Sequence, residues 1–135
     1  MTLQNTTKYY IFDLDDTLVQ YNPKPKVPRE TWHLLRKLHE QGSKLYIISY
    51  NPLAPLIAAE LQLTQYIEDI FTARPPRDKL IAKLLAKYPE ITEFTYFDDS
   101  IDNIKEITDE LRPKYRIHTY HVTKPIKCKL LNHRL

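Results

Sequence analysis

Apolar residues along this chain fall into two alternating patterns. Short continuous runs rich in aromatic and β-branched residues predict buried strands, and stretches in which apolar residues recur every three or four positions predict helices. We predict strands at residues 9–12, 44–49, 67–73, 94–97 and 115–122. We predict helices at residues 29–41, 52–61, 78–88 and 100–111, with Asp78 as the cap of the third and Ser100 or Asp102 as the start of the fourth.

Alternating strands and helices predict an α/β fold. A parallel sheet with helices on both faces is the arrangement that buries such strands, and its crossovers are right-handed by default. Ligands of these sheets bind beyond the carboxyl ends of the strands, at the point where the strand order reverses. Asp13, Asp15, Ser49, Asp98 and Asp99 all fall at predicted strand ends. We therefore expect these side chains to lie at one edge of the sheet.

The segment between the first strand and the first helix carries alternating prolines and lysines. Pro23 and Pro25 predict an extended loop over residues 19–27, because proline restricts its own backbone and that of the residue before it. We expect the loop to overhang the end of the first strand, which places Lys24 and Lys26 at the border of the site.

Composition narrows the class of protein. With 135 residues, 42% of them hydrophobic, we expect one domain over 1–135, with a core at 8–122 and a basic tail at 123–135. A single cysteine, Cys128, favours a reducing compartment, and no apolar run approaches the roughly 20 residues of a membrane span. We expect a cytoplasmic protein. The net charge of +3 favours an anionic ligand, and a single glycine excludes the glycine-rich loops that hold nucleotide phosphates.

The first strand ends in an excess of negative charge. Asp13, Asp15 and Asp16 lie within four positions directly after an apolar run. Burying a carboxylate costs several kcal/mol unless it is paired or bound to a metal. Turn or cap residues are the structural alternative for an isolated motif of this kind. A chemical role is the prediction that we favour, with Asp16 as an exposed and dispensable neighbour.

Four segments of the chain resemble the haloacid dehalogenase-like (HAD) phosphohydrolase superfamily. Residues 13–17 are similar to its D-x-D-x-T motif, and residues 45–49 are similar to its apolar strand that ends in Ser or Thr. Lys79 is similar to its lysine beside a helix start, and the acidic pair that follows a strand in the family is matched at positions 98 and 99. Residues 97–104 resemble most the magnesium-dependent phosphatase-1 group. The resemblance covers roughly residues 8–122.

This resemblance implies a three-layer Rossmann-like (HAD-like) fold, with a five-stranded, mainly parallel sheet in the order 5-4-1-2-3. It also implies a Mg²⁺-dependent phosphomonoester phosphatase that works through an aspartyl-phosphate. Too few residues separate the motifs to hold the cap domain that many relatives insert. We therefore expect an open site that admits a phosphorylated macromolecule, such as a phosphoprotein or a nucleic acid end, or a bulky phosphate ester.

The resemblance also implies the roles of individual residues. Asp13 would be the nucleophile, and Asp15 would protonate the leaving oxygen and then activate water. Further implied roles are metal binding by Asp13, Asp99, Asp98 and the main-chain carbonyl of Asp15; phosphate binding by Ser49, Asn51 and Lys79; and support by Thr17 and Asn103.

Two of these assignments have alternatives. Lys79, Lys83 and Lys87 form an i, i+4 row that is also typical of a solvated helix face, and Arg77 is the alternative cation, although we favour Lys79. A response-regulator receiver domain combines similar residues, but its motifs follow one another in a different order. A catalytically inactive module that binds phosphate or protein is the remaining alternative.

Overall fold

The computed structural model describes residues 6–123, which form one five-stranded sheet, a small hairpin and four helices. In chain order the elements are β1 (Tyr9–Asp13), β2 (Gln20–Tyr21), β3 (Pro25–Lys26), α1 (Arg29–Glu40), β4 (Lys44–Ser49), α2 (Ala54–Glu60), a 3-10 turn (Leu63–Gln65), β5 (Asp69–Thr72), α3 (Arg77–Lys87), β6 (Glu93–Asp98), α4 (Ile101–Leu111) and β7 (Arg116–His121).

The large sheet is parallel and has the order β5-β4-β1-β6-β7. Counting only its five strands, this is the predicted order 5-4-1-2-3 read from the other edge. The central strand β1 pairs with β4 on one side and with β6 on the other, so that Phe12 lies opposite both Ile47 and Phe97. A strand in this position has both faces and both edges covered, which explains why its sequence is almost entirely apolar until the carboxylates begin.

Alternate residues of β1 enter two separate cores. Phe12 packs with buried residues of α1 and α2, such as Leu35. Ile11 packs on the other face with buried residues of α3 and α4, such as Leu84 and Ile107. Because successive side chains of a strand point to opposite faces, one strand anchors both layers of helices. The expected three-layer α/β architecture is confirmed.

The helix starts differ in part from the predictions. The side chain of Asn51 accepts a hydrogen bond from the amide of Leu53, and this turn delays the second helix until Ala54. Asp78 was expected to cap the third helix, and this is wrong, because that helix begins at Arg77 after Pro76 and has no side-chain cap. Ser100 rather than Asp102 caps the fourth helix.

The loop over residues 19–27 is more ordered than predicted. β2 and β3 pair in antiparallel fashion within it, with Gln20 opposite Lys26 and Tyr21 opposite Pro25. The hairpin follows directly on the turn after β1, where the amide of Asp16 donates to the carbonyl of Val19 at 2.8 Å. The loop therefore stands beside the carboxyl end of β1 in a defined conformation.

No cap domain interrupts the described residues, as expected. None of the helices within 6–123 is long and apolar enough to cross a membrane. The basic stretch at 124–135, with Cys128, lies outside the residues that the structure describes.

Candidate active site

Three neighbouring strands end in the side chains of the candidate site. Asp13 is the last residue of β1, Ser49 the last of β4 and Asp98 the last of β6. The strand registers place Asp13 beside Ile48 and Phe12 beside Phe97, so the three strands end at the same level. Predicted residues far apart in the sequence are thereby brought together at one edge.

Three carboxylates converge at this edge. One oxygen from each of Asp13, Asp98 and Asp99 lies within 4.8 Å of the other two. Asp13 and Asp98 are buried, with 5% and 0% of their surface exposed. Burial, followed by repulsion from Asp98, raises the pKa of Asp13 to about 8, against the opposing effect of Arg77. Burial and the charge of Asp98 likewise raise the pKa of Asp99. The ionised forms of these groups are therefore mutually unfavourable without a further cation.

The donor set fits a hard divalent cation. Every candidate ligand atom is a carboxylate oxygen, which is the ligand type that Mg²⁺ prefers. When all three carboxylates are ionised, the single guanidinium of Arg77 beside them leaves two negative charges uncompensated. A divalent ion would neutralise that remainder.

Arg77 is the cation that contacts these carboxylates. One of its terminal nitrogens, Nη2, donates to Oδ1 of Asp13 at 3.1 Å and lies 3.8 Å from Oδ2 of Asp98. The other, Nη1, donates to the main-chain carbonyl of Ile48 at 3.1 Å. The ring of Tyr50 covers the guanidinium at 4.1 Å, and only 2% of Arg77 is exposed. This side chain is a buried counter-ion held on several sides.

Lys79 lies on a different side of the same helix. It is exposed, and among the described residues it makes no hydrogen bond or ion pair. Arg77 shares its face of α3 with the buried residues Ile81 and Leu84, at i+4 and i+7. Reading this apolar spacing backwards along α3 places Arg77 on the buried side of the helix, but the spacing alone does not show that Arg77 contacts Asp13.

Asp98 is held by donors on both oxygens. The amide of Ser100 donates to its Oδ1 at 2.8 Å, and the side-chain amide of Asn103 donates to its Oδ2 at 3.0 Å. The hydroxyl of Tyr96 also donates to Oδ2. Asp99 is less buried, and its side chain interacts with the neighbouring carboxyl group of Asp13. Asp98 therefore has the surroundings of a fixed structural carboxylate, and Asp99 those of a more accessible ligand.

The first motif is completed by Thr17 and Asp15. The hydroxyl of Thr17, which is 2% exposed, donates to Oδ2 of Asp13 at 3.3 Å. Asp15 lies beyond the end of β1 and accepts from the hydroxyl of Tyr21 and from the side-chain amide of Asn51, the latter at 3.2 Å. The loop that contains Tyr21 was expected to border the site, but the contact between Tyr21 and Asp15 was not predicted from the sequence. Asp16 is exposed, as predicted.

Comparison with known proteins bears on the fold. No protein-family model matches the sequence, and no curated protein matches it. A solved structure of 3-deoxy-D-manno-octulosonate 8-phosphate phosphatase from Moraxella catarrhalis, in complex with a magnesium ion, a phosphate ion and a KDO molecule, is similar with a TM-score of 0.52 and 23% identity. The cobalt-bound deoxy-D-mannose-octulosonate 8-phosphate phosphatase of Haemophilus influenzae is similar with a TM-score of 0.54 and 16% identity. The chain has a HAD-like fold.

These similarities cover 76% and 73% of this chain, but only 63% and 62% of the two phosphatases. The chain thus spans less than two thirds of the length of either. Within the HAD-like fold, the candidate site occupies the position where the chain changes direction across the sheet. β4 and β5 lie on one side of β1, and β6 and β7 lie on the other. The crevice above such a reversal is where open α/β sheets bind ligands.

Proposed function

We propose that the protein is a Mg²⁺-dependent phosphomonoester hydrolase that forms an aspartyl-phosphate on Asp13. The observation that carries the proposal is the convergence of Asp13, Asp98 and Asp99 around a buried Arg77 at the reversal point of the sheet. The fold similarity to two phosphatases supports the same class of reaction.

Two proton transfers by Asp15 accompany two displacements at phosphorus. In the first, a carboxylate oxygen of Asp13 bonds to phosphorus, the bond to the leaving oxygen breaks, and Asp15 protonates that oxygen. In the second, water attacks the aspartyl-phosphate, Asp15 takes a proton from the water, and phosphate leaves with the carboxylate of Asp13 restored. Asp15 suits both steps because it lies two residues beyond the nucleophile and outside the buried carboxylate cluster.

Asp13, Asp99 and the main-chain carbonyl of Asp15 would hold the Mg²⁺, which offsets the repulsion between the carboxylate nucleophile and an anionic phosphate. Asp98 orients the cluster, because its oxygens already accept hydrogen bonds and its charge helps to hold Arg77 in place. Asn103 acts through Asp98. Thr17 holds the second oxygen of Asp13, which leaves the nucleophile little freedom to rotate.

Phosphate binding rests on Ser49 and a cation. Ser49 is 2% exposed and ends the strand next to β1, and its hydroxyl can reorient from the amide of Asn51 toward a phosphoryl oxygen. The sequence favoured Lys79 as the cation that binds phosphate. We keep this prediction, because an exposed lysine side chain can reach toward the phosphate of a bound substrate. Arg77 is the stronger candidate for charge balance at Asp13, because it already contacts that carboxylate at 3.1 Å.

The substrate proposal keeps two classes. An uncapped site supports a phosphorylated macromolecule or a bulky phosphate ester, and membership of the magnesium-dependent phosphatase-1 group belongs to the same proposal. A sugar phosphate is the second class of substrate, because one of the two similar phosphatases was solved in complex with phosphate and KDO. Turnover of phosphopeptides, 3′-phosphorylated oligonucleotides and sugar phosphates, measured side by side, would rank them.

The decisive experiment is hydrolysis of p-nitrophenyl phosphate with Mg²⁺ and with a chelator. We expect Mg²⁺-dependent turnover that Asp13→Asn abolishes, with an aspartyl-phosphate trapped by rapid acid quench in the wild type only. Asp16→Asn is the matched control, because Asp16 is exposed and its backbone φ of 64° is one that Asn also tolerates. Phosphate binding without turnover would favour the inactive binding module instead.

A further inference from the structure

Both carboxylate oxygens of Asp15 are held by side chains from other parts of the chain. The hydroxyl of Tyr21 donates to Oδ1, and the Nδ2 amide of Asn51 donates to Oδ2 at 3.2 Å. An aspartate at the end of a strand otherwise samples several rotamers and a broad range of its second torsion. Donors on both oxygens fix the plane of the carboxylate.

The amide of Asn51 is itself fixed in orientation. Its Oδ1 accepts from the amide of Leu53 at 2.9 Å, so only its NH₂ group can face Asp15. Its own main-chain amide donates to the hydroxyl of Ser49 at 3.0 Å. Asn51 therefore ties Asp15 to the end of β4. Because an NH₂ group only donates, Oδ2 of Asp15 is an acceptor and is the less favourable oxygen to carry a proton.

Tyr21 differs from Asn51 in two respects. A phenolic hydroxyl can donate to Oδ1 when that oxygen is ionised, and it can still donate to it when Oδ1 carries a proton that points toward another acceptor. Tyr21 also belongs to the β2–β3 hairpin, where it pairs with Pro25, and the hairpin is tied to the first motif through a bridge between Asp15 and Val19. The hydroxyl is thus placed by backbone structure next to the oxygen that exchanges the proton.

Tyr21 also lines a cavity. Its volume is about 500 Å³, enough for a small organic group, and its lining includes Asp16, Gln20, Tyr21, Asn22, Asp99 and His121. Tyr21 therefore contacts Oδ1 of Asp15 and also borders an open space that reaches the metal-binding candidate Asp99. A leaving group bound in this space would present its ester oxygen near Oδ1 of Asp15.

We propose, on the basis of the phosphatase function above, that Tyr21 is a positioning residue that aims Oδ1 of Asp15 at the oxygen of the leaving group. Tyr21 acts with Asn51, which holds the opposite oxygen. Its contribution is greatest when the leaving group needs a proton in order to depart. A leaving group that departs readily as an anion gains little from a well-aimed acid.

The test compares aryl phosphates of similar size whose leaving groups differ in basicity, from p-nitrophenyl to phenyl to p-methoxyphenyl phosphate. The measured quantity is kcat/KM, which reports the steps up to departure of the leaving group. We expect Tyr21→Phe to lower kcat/KM about 10-fold for p-methoxyphenyl phosphate and less than about 2-fold for p-nitrophenyl phosphate, since a positioned acid typically contributes 10²- to 10⁴-fold. Tyr66→Phe is the control and should change neither value, because the ring of Tyr66 packs against Trp32 of α1 and Tyr66 makes no contact with Asp15 among the described residues.

Asp15→Asn provides the reference for loss of the acid. In that background, Tyr21→Phe should add no further dependence on the leaving group. The inference alone would be overturned by the following combination of results. The wild type hydrolyses these esters and Asp15→Asn shows a steep dependence of kcat/KM on the basicity of the leaving group, but Tyr21→Phe lowers kcat/KM equally for all three esters or for none. A wild type without Mg²⁺-dependent hydrolysis would overturn the proposed function and this inference with it.

Discussion

Replacing Arg77 with methionine tests whether the buried cation stabilises the carboxylate cluster. Methionine has a similar length but no charge, so Arg77→Met fills much of the space while leaving Asp13 and Asp98 without their counter-ion. Removing one partner of a buried ion pair typically costs 3–5 kcal/mol, because the other charge stays buried and uncompensated. Only 3% of the Arg77 side chain and 7% of the Asp13 side chain are exposed, so solvent screens this pair little.

The expected size of the effect can be expressed as a melting temperature. An unfolding entropy of roughly 2.1 cal/mol/K per residue amounts to about 0.28 kcal/mol/K for a chain of 135 residues. A loss of 3–5 kcal/mol then lowers Tm by roughly 10–18 °C. The loss should be smaller with Mg²⁺ than with a chelator, because the metal compensates part of the same negative charge.

The assay is thermal unfolding with and without Mg²⁺ at a pH above the pKa of Asp13, which is about 8, so that the carboxylate is ionised. Lys79→Met is the matched control, because it removes one exposed positive charge from the same helix and should change Tm by less than about 2 °C. The double variant Arg77→Met with Asp13→Asn should lose less than the sum of the single variants by about 1–3 kcal/mol, and it provides a folded comparison if Arg77→Met alone unfolds. Additive losses, or an Arg77→Met variant as stable as the Lys79 control, would refute the assignment of Arg77 as counter-ion.

The other predictions concern the metal and the start of α4. Asp99→Asn should raise Tm by a few degrees in chelator, because it removes a like charge near Asp13, and it should abolish the rise in Tm that Mg²⁺ gives the wild type. An unchanged response to Mg²⁺ in Asp99→Asn would show that Asp99 is not a ligand. Ser100→Ala should cost about 1 kcal/mol, or roughly 3–4 °C in Tm, because the hydroxyl caps the amide of Asn103, and Ser100→Thr should keep most of that stability. Equal losses in Ala and Thr variants would argue against the cap.

The sequence by itself determined the strand and helix pattern and the edge of the sheet that carries chemistry. Buried positions recur along the chain with a period that differs between strands and helices. The fold class and the ends of β1, β4 and β6 follow from this local pattern. The positions of Asp13, Ser49 and Asp98 at one edge follow in turn, because parallel strands bring their carboxyl ends together. The starts of α2 and α3 were less predictable, since they depend on turns around Asn51 and Pro76.

The partners of these residues were decided only by the tertiary structure. The choice between Arg77 and Lys79 depends on how α3 is rotated about its axis, and packing on the sheet sets that rotation. The donors to Asp15 come from 6 and 36 residues away, through a hairpin that forms within a proline-rich loop and a turn that follows another strand. Periodicity describes which side of an element is buried, but it carries no information about which side chains meet across elements. The carboxylates of this site, and Arg77 as one of two possible cations, were therefore visible in the sequence, whereas the contacts that Arg77 and Tyr21 make with those carboxylates were decided only by the folded chain.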